Sequence, residues 1–530
     1  MPHDYQLLIK NLLLTPVAYN PNQEIVYKGE KRFSYKEFHQ RVKKLANALT
    51  DMGVKKGDTV AVMDYDSNRY LECYFAVPMI GAILHTINVR LSPEQILYTI
   101  DHAEDDILLI HNDFLPILNQ IKGRIDTVKE YIILNEDETC EYEKKISSCK
   151  DEFDFPEFDE NTIATTFYTT GTTGMPKGVY FSHRQLVLHT LGTISSISTV
   201  ENQGRFSQND VYMPITPMFH VHAWGLPYIA TMLGVKQVYP GKYIPDVLID
   251  LIDKEKVTFS HCVPTILHML LNSPKINEVD LSNWKVIIGG AALPKAMCIN
   301  ALKKGIDIFS GYGMSETCPI LSLAHLNESM LELDDETQAD IRVKTGKATA
   351  MVELKIVDEE MNEVAHDGET TGEIVVRTPW LTKGYFKDKK NSAHLWKDGY
   401  LHTGDIAHID KNGFIKITDR EKDIIKISGE WVSSLELEDI INQHSDVSEV
   451  AVIGQIHDKW GEIPLGLVVL KDDSKITEKE IEKFLKEFIK KGIMTREGML
   501  VKIKFVNYID KTSVGKINKR ELREKYSIKP

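Results

Sequence analysis

The sequence predicts an α/β protein in two unequal parts: a large N-terminal domain built of α/β subdomains, and a small α+β domain after it. Three observations carry that reading. At 530 residues the chain exceeds what one hydrophobic core usually serves. Helical and strand periodicities alternate along its first part, as they do where helices cover a mostly parallel sheet. Near residue 420 the composition shifts into a lysine-rich tail with its own helix and strand signals.

Taken in order, residues 34–52 read as a helix. Ser34 with Glu37 forms a capping box, Tyr35, Phe38, Val42, Leu45 and Leu49 make one apolar stripe, and Gly53 ends it. A strand at 59–63, a helix near 69–80, a strand at 82–86, a helix capped by Ser92 with Pro93 and Gln95, and a strand at 107–110 continue the alternation. Residues 135–161, acidic and lysine-rich, read as a surface connection. In the tail, Ser433 with Glu436 and Thr477 with Glu480 open helices, the second with Ile481, Phe484, Leu485, Phe488 and Ile489 on its inner face. Strands are expected at 451–453, 465–470 and 501–506.

The stretch TTFYTTGTTGMPKG at 165–178 runs from a β-branched and aromatic strand into a loop of hydroxyls and glycines that ends in one lysine. Gly171, Gly174 and Gly178 let backbone N–H groups approach an anion, Thr169, Thr170, Thr172 and Thr173 offer short donors, and Lys177 adds a point charge. It is not the common G-x-x-x-x-G-K-[ST] loop, because Pro176 precedes Lys177 and Gly178 follows it, so no hydroxyl stands next to the lysine. Alone, such a loop reads equally as a surface turn. Residues 211–235 contain no Asp, Glu, Lys or Arg, yet Pro214, Pro217, Pro227, His220 and His222 interrupt them. They read as buried wall, not a transmembrane helix.

Composition sets outer limits. Hydrophobic content of 42% and charged content of 26% are those of a soluble globular enzyme. A net charge of −14 argues against nucleic acid or an anionic membrane as a main partner. The six cysteines (73, 140, 149, 262, 298, 318) show no C-x-x-C spacing, which disfavours a zinc site or disulfide scaffold and suits a reducing, cytoplasmic setting. The N-terminal MPHDYQ is no secretory signal.

At 168–178 the chain resembles the adenylate-forming superfamily of acyl-CoA synthetases, luciferases and peptide-synthetase adenylation domains. Further matches follow in that superfamily's order at 289–291, 311–317, 403–405, 418–431 and 511–520, so the resemblance spans almost the whole chain. Its motifs are most similar to those of medium- and long-chain fatty-acyl-CoA synthetases. The resemblance implies an ATP-dependent ligase that makes an acyl-adenylate and then a CoA thioester, with ATP, Mg²⁺ and coenzyme A. It implies a domain at 1–418, a hinge at 419–422 centred on Lys422, and a mobile domain at 423–530, and it leaves room for a homodimer.

The same resemblance implies roles residue by residue. Thr169, Thr170, Gly171, Thr172, Thr173, Gly174 and Lys177 would hold the β- and γ-phosphates. Gly290 and Ala291 belong to the adenine platform, followed by Gly311, Tyr312, Gly313 and Met314, with Tyr312 stacking on the base. Ser315, where relatives more often carry Thr, would meet the α-phosphate, and Glu316 would hold Mg²⁺. Asp405 would accept both ribose hydroxyls, with Ile417 and Arg420 beside the nucleotide. Lys516 would bridge the carboxylate and the α-phosphate. Lys516, Glu316, Thr169 and His220 are the catalytic candidates. His220 stands where amino-acid-activating relatives carry an aspartate for the substrate ammonium. With Trp224 and Gly313 it would line a pocket for an uncharged acyl chain. Ser428, Gly429 and Glu430 would face the pantetheine tunnel, although fatty-acid relatives often read Ser-Gly-Gly there. Two other readings stay open at this level: a ligase for a short or thioether acid such as methylthiopropionate, and an acyl loader for a carrier protein.

Overall fold

The computed structural model describes residues 4–137, 139–169, 175–427, 430–457, 459–472, 474–490, 497–512 and 515–526. Its helices begin where the capping signals stand. The Glu37 carboxylate accepts the Ser34 N–H at 2.7 Å while Ser34 Oγ accepts the Glu37 N–H, so a helix starts at Tyr35 and runs Tyr35–Asp51. The Ser92/Gln95 box opens Pro93–Ala103 in the same way. A third box, Ser182 with Gln185, opens His183–Ile197. The stripe Tyr35, Phe38, Val42, Leu45 and Leu49 is buried.

The alternation of the first part resolves into two sheets. In the six-stranded one, as far as the described residues go, Glu130–Leu134, Asp105–His111, Thr59–Met63, Ile83–Thr86 and Ile163–Thr169 lie in that order, all parallel. Lys177–Ser182 then closes the edge antiparallel. The nine-stranded sheet has a parallel centre in which Asp307–Gly313, Lys285–Ile288, Phe259–Cys262, Val211–Pro214 and Lys236–Tyr239 are neighbours. Such strands are covered on both faces, which is why they read as short apolar runs instead of alternating ones. A third, antiparallel sheet joins Tyr400–Ile409 to Gly372–Arg377 and Ile415–Arg420.

The chain from residue 425 onward forms a small mixed sheet around the hairpin Val447–His457 and Gly461–Leu470, with Lys502–Phe505 parallel to the latter. Helices Ser434–Asn442 and Glu478–Lys490 pack on it, Ile481 and Leu485 facing inward as their spacing predicts. The side chain of Ile489 lies outside the described residues. The architecture is therefore the expected one, a large α/β N-terminal domain with a small α+β C-terminal domain.

Two segments need comment. Residues 211–235 form a strand, a turn and the helix Leu226–Leu233, largely buried, and no described helix is long and apolar enough to cross a membrane. Residues 135–161 are more than a surface connection: they contain the helix Glu141–Ser147, whose Tyr142 and Ile146 are buried. The Tyr142 hydroxyl donates to Glu72 Oε2 at 2.5 Å, and Glu72 also meets Arg41 Nε at 2.7 Å and Asn68 Nδ2 at 2.9 Å. The many flanking charges hide this anchor from a compositional reading. Because the Glu72 side chain is wholly buried, losing one donor leaves a carboxylate oxygen short of a partner. Tyr142→Phe should cost about 1.5–3 kcal/mol, the usual scale of a hydrogen bond to a charged group, in urea unfolding followed by circular dichroism.

Candidate active site

The central strands of the nine-stranded sheet deliver the site. Val211–Pro214, Phe259–Cys262, Lys285–Ile288 and Asp307–Gly313 end side by side, and ligands of such sheets bind beyond the carboxyl ends. Just past those ends a pocket is lined by His220 and Trp224, by Gly289 and Gly290, by Gly311 to Ser315, and by Lys516 from the small domain. Ala291 is not part of that lining and is exposed to solvent. The backbone is crowded here: a Cβ on Gly313 would fall 1.8 Å from the Pro319 carbonyl oxygen, so no other residue fits.

Tyr312 leaves the pocket floor and donates its hydroxyl to Asp405 Oδ2 at 2.7 Å. The other Asp405 oxygen meets Arg420 Nε at 3.0 Å. This ion pair follows from register, since Asp405 and Arg420 face each other directly across strands Tyr400–Ile409 and Ile415–Arg420. Beside Asp405 the guanidinium is held above its ordinary pKa range. Ile417, on the same strand as Arg420, packs against the same buried apolar cluster as Tyr312 and Met314 and donates its N–H to Thr345 Oγ1 at 3.0 Å. Burial lowers the pKa of Lys422, which lies close to Arg420 and Asp423.

Glu316 sits in the short turn Ser315–Thr317, 7% exposed, and accepts the Tyr385 hydroxyl at 2.7 Å. The Tyr385 ring lies 4.7 Å under the Lys177 ammonium. Tyr385 thereby couples the lysine of the Thr/Gly loop to the carboxylate, a link the sequence does not signal because the two partners lie more than a hundred residues apart. Thr169 ends its strand opposite Lys177. Thr170, Gly171, Thr172, Thr173 and Gly174 lie outside the described residues, as do Ser428 and Gly429. Glu430 begins a short strand whose backbone pairs with Ile427.

The side of the pocket formed by His220 and Trp224 rests on unusual backbone. Val221, His222, Ala223, Trp224 and Gly225 all have positive φ, from 40° to 74°, a left-handed turn that costs roughly 1–2 kcal/mol at each residue other than glycine. The turn throws the Trp224 ring against the Gly289 backbone, where an added Cβ would meet it at 2.9 Å. Trp224 forms one wall of this pocket, whose cavity volume is about 30 Å³. His220 is mostly covered, and burial together with the Lys516 charge brings its pKa down to about 3, so the imidazole is neutral.

Lys516 reaches this pocket from a loop tied by its own backbone: Thr512 N–H donates to the Lys516 carbonyl at 2.7 Å and Lys516 N–H to Thr512 Oγ1 at 3.2 Å. Its Cε lies 3.5 Å from the position a Gly290 Cβ would take. Burial pushes its pKa down to about 8, helped by Arg420 and opposed by Asp405 and Glu316.

Residues from both domains thus converge on one pocket. A family profile described as AMP-binding enzyme matches residues 15–386, and one described as AMP-binding enzyme C-terminal domain matches residues 436–516. The chain belongs to the AMP-binding enzyme family. As an adenylate-forming enzyme it is similar over nearly its full length to a long-chain-fatty-acid–CoA ligase of Thermus thermophilus, with 38% identity covering 99% of this chain and 96% of that one. It is also similar to a 3-methylmercaptopropionyl-CoA ligase of Ruegeria lacuscaerulensis, with 37% identity covering 98% and 97%. A crystal structure of an anthranilate CoA ligase in complex with anthranoyl-AMP superimposes with a TM-score of 0.87 at 23% identity, covering 99% and 98%, which establishes the shared fold.

The lowered pKa makes a prediction about this AMP-binding enzyme that needs no substrate. A lysine depressed by burial keeps its charge below about pH 8 and loses it above. Competitive acetylation read by mass spectrometry should give Lys516 an inflection near pH 8, where exposed lysines titrate near 10.4. An inflection at the ordinary value would mean that the pocket does not withdraw the ammonium from water.

Proposed function

We propose that this AMP-binding enzyme is an ATP-dependent acyl-CoA ligase for an aliphatic, fatty-type acid. The observation that carries the reading is the presence of Lys516, from the small domain, in the same pocket as His220, Trp224 and Tyr312. In the first step a substrate carboxylate oxygen attacks the α-phosphorus of ATP, the bond to pyrophosphate breaks, and an acyl-adenylate forms. In the second, the CoA thiol attacks the acyl carbon, its proton leaves to water, and AMP departs with the bonding electrons.

Most of the work is positioning and charge stabilisation. The Thr169–Gly174 run with Lys177 would hold the outer phosphates, Ser315 the α-phosphate, and Tyr312 the adenine face. Asp405, oriented by Tyr312 and Arg420, keeps oxygen lone pairs for ribose hydroxyls. Glu316 suits Mg²⁺: a single buried carboxylate, with no cluster of three or more His, Cys, Asp or Glu among the described residues, matches an ion that takes its other ligands from phosphates and water. Bound there, the ion would supply charge neutralisation on the phosphate oxygens. Lys516 would stand between two anions that repel. For the thioester step we put the hinge at 419–422, so that rotation about Lys422 withdraws Lys516 and brings Ser428, Gly429 and Glu430 toward the pantetheine. The six free cysteines are in keeping with a cytoplasmic setting.

The acid is argued from the wall. Residues 211–235 offer no carboxylate to pair an ammonium, so a zwitterionic amino acid would bury an uncompensated charge. A second reading, a short thioether acid, is favoured by the likeness to the methylmercaptopropionyl-CoA ligase and by the small space left beside Trp224. One assay separates these: AMP release with CoA across straight-chain acids of two to eighteen carbons, methylthiopropionate and free α-amino acids, for wild type and Trp224→Ala. Aliphatic acids should give release and amino acids almost none. Trp224→Ala should move the preferred length upward or flatten the preference, each added buried methylene contributing about 0.8 kcal/mol. Strong release with an α-amino acid would overturn the substrate class, and an unchanged length profile in a folded variant would make Trp224 plain packing.

A further inference from the structure

In the left-handed turn at 221–225 the Gly225 N–H donates to the His222 carbonyl at 2.9 Å and the Ala223 carbonyl accepts the N–H of Leu226, and in the segment entering it the His220 N–H donates to the Pro217 carbonyl at 2.9 Å. Backbone this strained persists only where its surroundings fix it, and here the fixing groups come from the other sheet's side. The Tyr74 hydroxyl donates to the Met218 carbonyl, and Thr86 Oγ1 donates to the Phe219 carbonyl at 3.1 Å. The Met218 N–H donates to Asp66 Oδ1 at 2.8 Å.

Asp66 stands out among these three. It follows strand Thr59–Met63, is 3% exposed, and also receives the Tyr243 hydroxyl on Oδ2 at 2.5 Å, while its own carbonyl accepts the Gly241 N–H at 2.9 Å. One residue thus ties together the loop after that strand, the segment leading into the turn, and the loop at 241–243. Burying a carboxyl group is costly unless its bonds are directed. Burial raises Asp66 to about 7, so the fold maintains an unfavourable acid at this position. The two anchors at 74 and 86 hold carbonyl oxygens; Asp66 holds an N–H, that of Met218, one residue before Phe219 and two before His220.

We propose that Asp66 is a positioning residue for the acid pocket, acting through the Met218 N–H to hold the left-handed turn from which His220, Val221 and Trp224 line that pocket. This rests on the reading of the pocket as the acid site. Asp66 touches no reacting atom; it determines where the acyl wall stands, and with it the affinity and length preference for the acid, while the nucleotide side, built on Tyr312, Asp405 and Arg420, does not depend on it.

The test compares Asp66→Ala with Asp66→Asn in steady-state kinetics and in hydrogen–deuterium exchange of the peptide covering 217–225. An asparagine oxygen can still accept the Met218 N–H, and its amide can donate to the Tyr243 oxygen. Asp66→Ala should raise the KM for the acid about tenfold or more, flatten the chain-length preference and leave the KM for ATP within about twofold. Asp66→Asn should stay within about threefold of wild type for the acid. Exchange in 217–225 should be slow in wild type and Asp66→Asn and faster by about tenfold in Asp66→Ala. Equal loss of acid and ATP affinity in folded Asp66→Ala, or a tenfold loss of acid affinity in folded Asp66→Asn, overturns the proposal. If Asp66→Ala does not fold, Asp66→Asn and wild type still decide it, because rapid exchange of 217–225 in the wild-type protein would also overturn it. A wild type that activates no acid would sink the ligase reading instead, and the exchange comparison would then still report whether Asp66 holds the turn.

Discussion

The arrangement on which this structure depends is an ammonium group partly withdrawn from water. Lys516 is carried by the small domain, and its side chain ends in a pocket built by the large one. The cost appears in its pKa of about 8. Desolvation and the Arg420 charge disfavour the cation, while Asp405 and Glu316 only partly offset them. A site in this condition is poorly matched to its own empty state and well matched to incoming negative charge. In the proposed reaction a carboxylate and an α-phosphate, which repel each other in water, would each relieve the strain on the lysine, so the electrostatic benefit grows as the two approach. Interactions that strengthen toward the transition state are the ones that raise a rate.

The rest of the pocket is arranged to keep that charge in place. Parallel strands buried on both faces end at one level, and the short segments beyond them carry the polar groups. Around Tyr312 the groups are fixed by register: Asp405 and Arg420 oppose each other on paired strands, and Tyr312 closes the triangle. Around Trp224 the backbone is strained. Five consecutive residues of positive φ turn the chain so that Trp224 meets the Gly289 backbone.

Much of this was legible in the sequence, because much of it is local. Capping boxes mark helix starts through side chain–backbone contacts three residues apart, and Ser34/Glu37 and Ser92/Gln95 stand at the helix starts they announce. The apolar stripe at 35–49 needs only the helical repeat. The first five residues of the motif at 311–317, Gly311 to Ser315, and the residues His220, Trp224 and Lys516, separated by up to about three hundred positions, do meet in one pocket. What the sequence concealed depends on partners far away or on dihedral angles. Tyr385 is one aromatic in an irregular segment until Glu316 and Lys177 are brought to it. The left-handed turn involves Val, Ala and Trp, residue types that ordinarily avoid positive φ, so no turn signal announces it. Helix Glu141–Ser147 was hidden among charges, its purpose visible only through the buried carboxylate of Glu72.

The central claim is that Lys516 serves the meeting of two anions and not the architecture of the domain interface. Single-turnover assays of the two half-reactions in Lys516→Ala test it most directly. Acid-dependent formation of the adenylate should fall by roughly 10²–10³-fold, the scale set by losing one preorganised electrostatic contact. Attack of CoA on a supplied acyl-adenylate, in which no second anion must be forced into place, should stay within a few-fold of wild type. Equal losses in both steps would contradict the account, since they would mean that Lys516 holds the small domain in general.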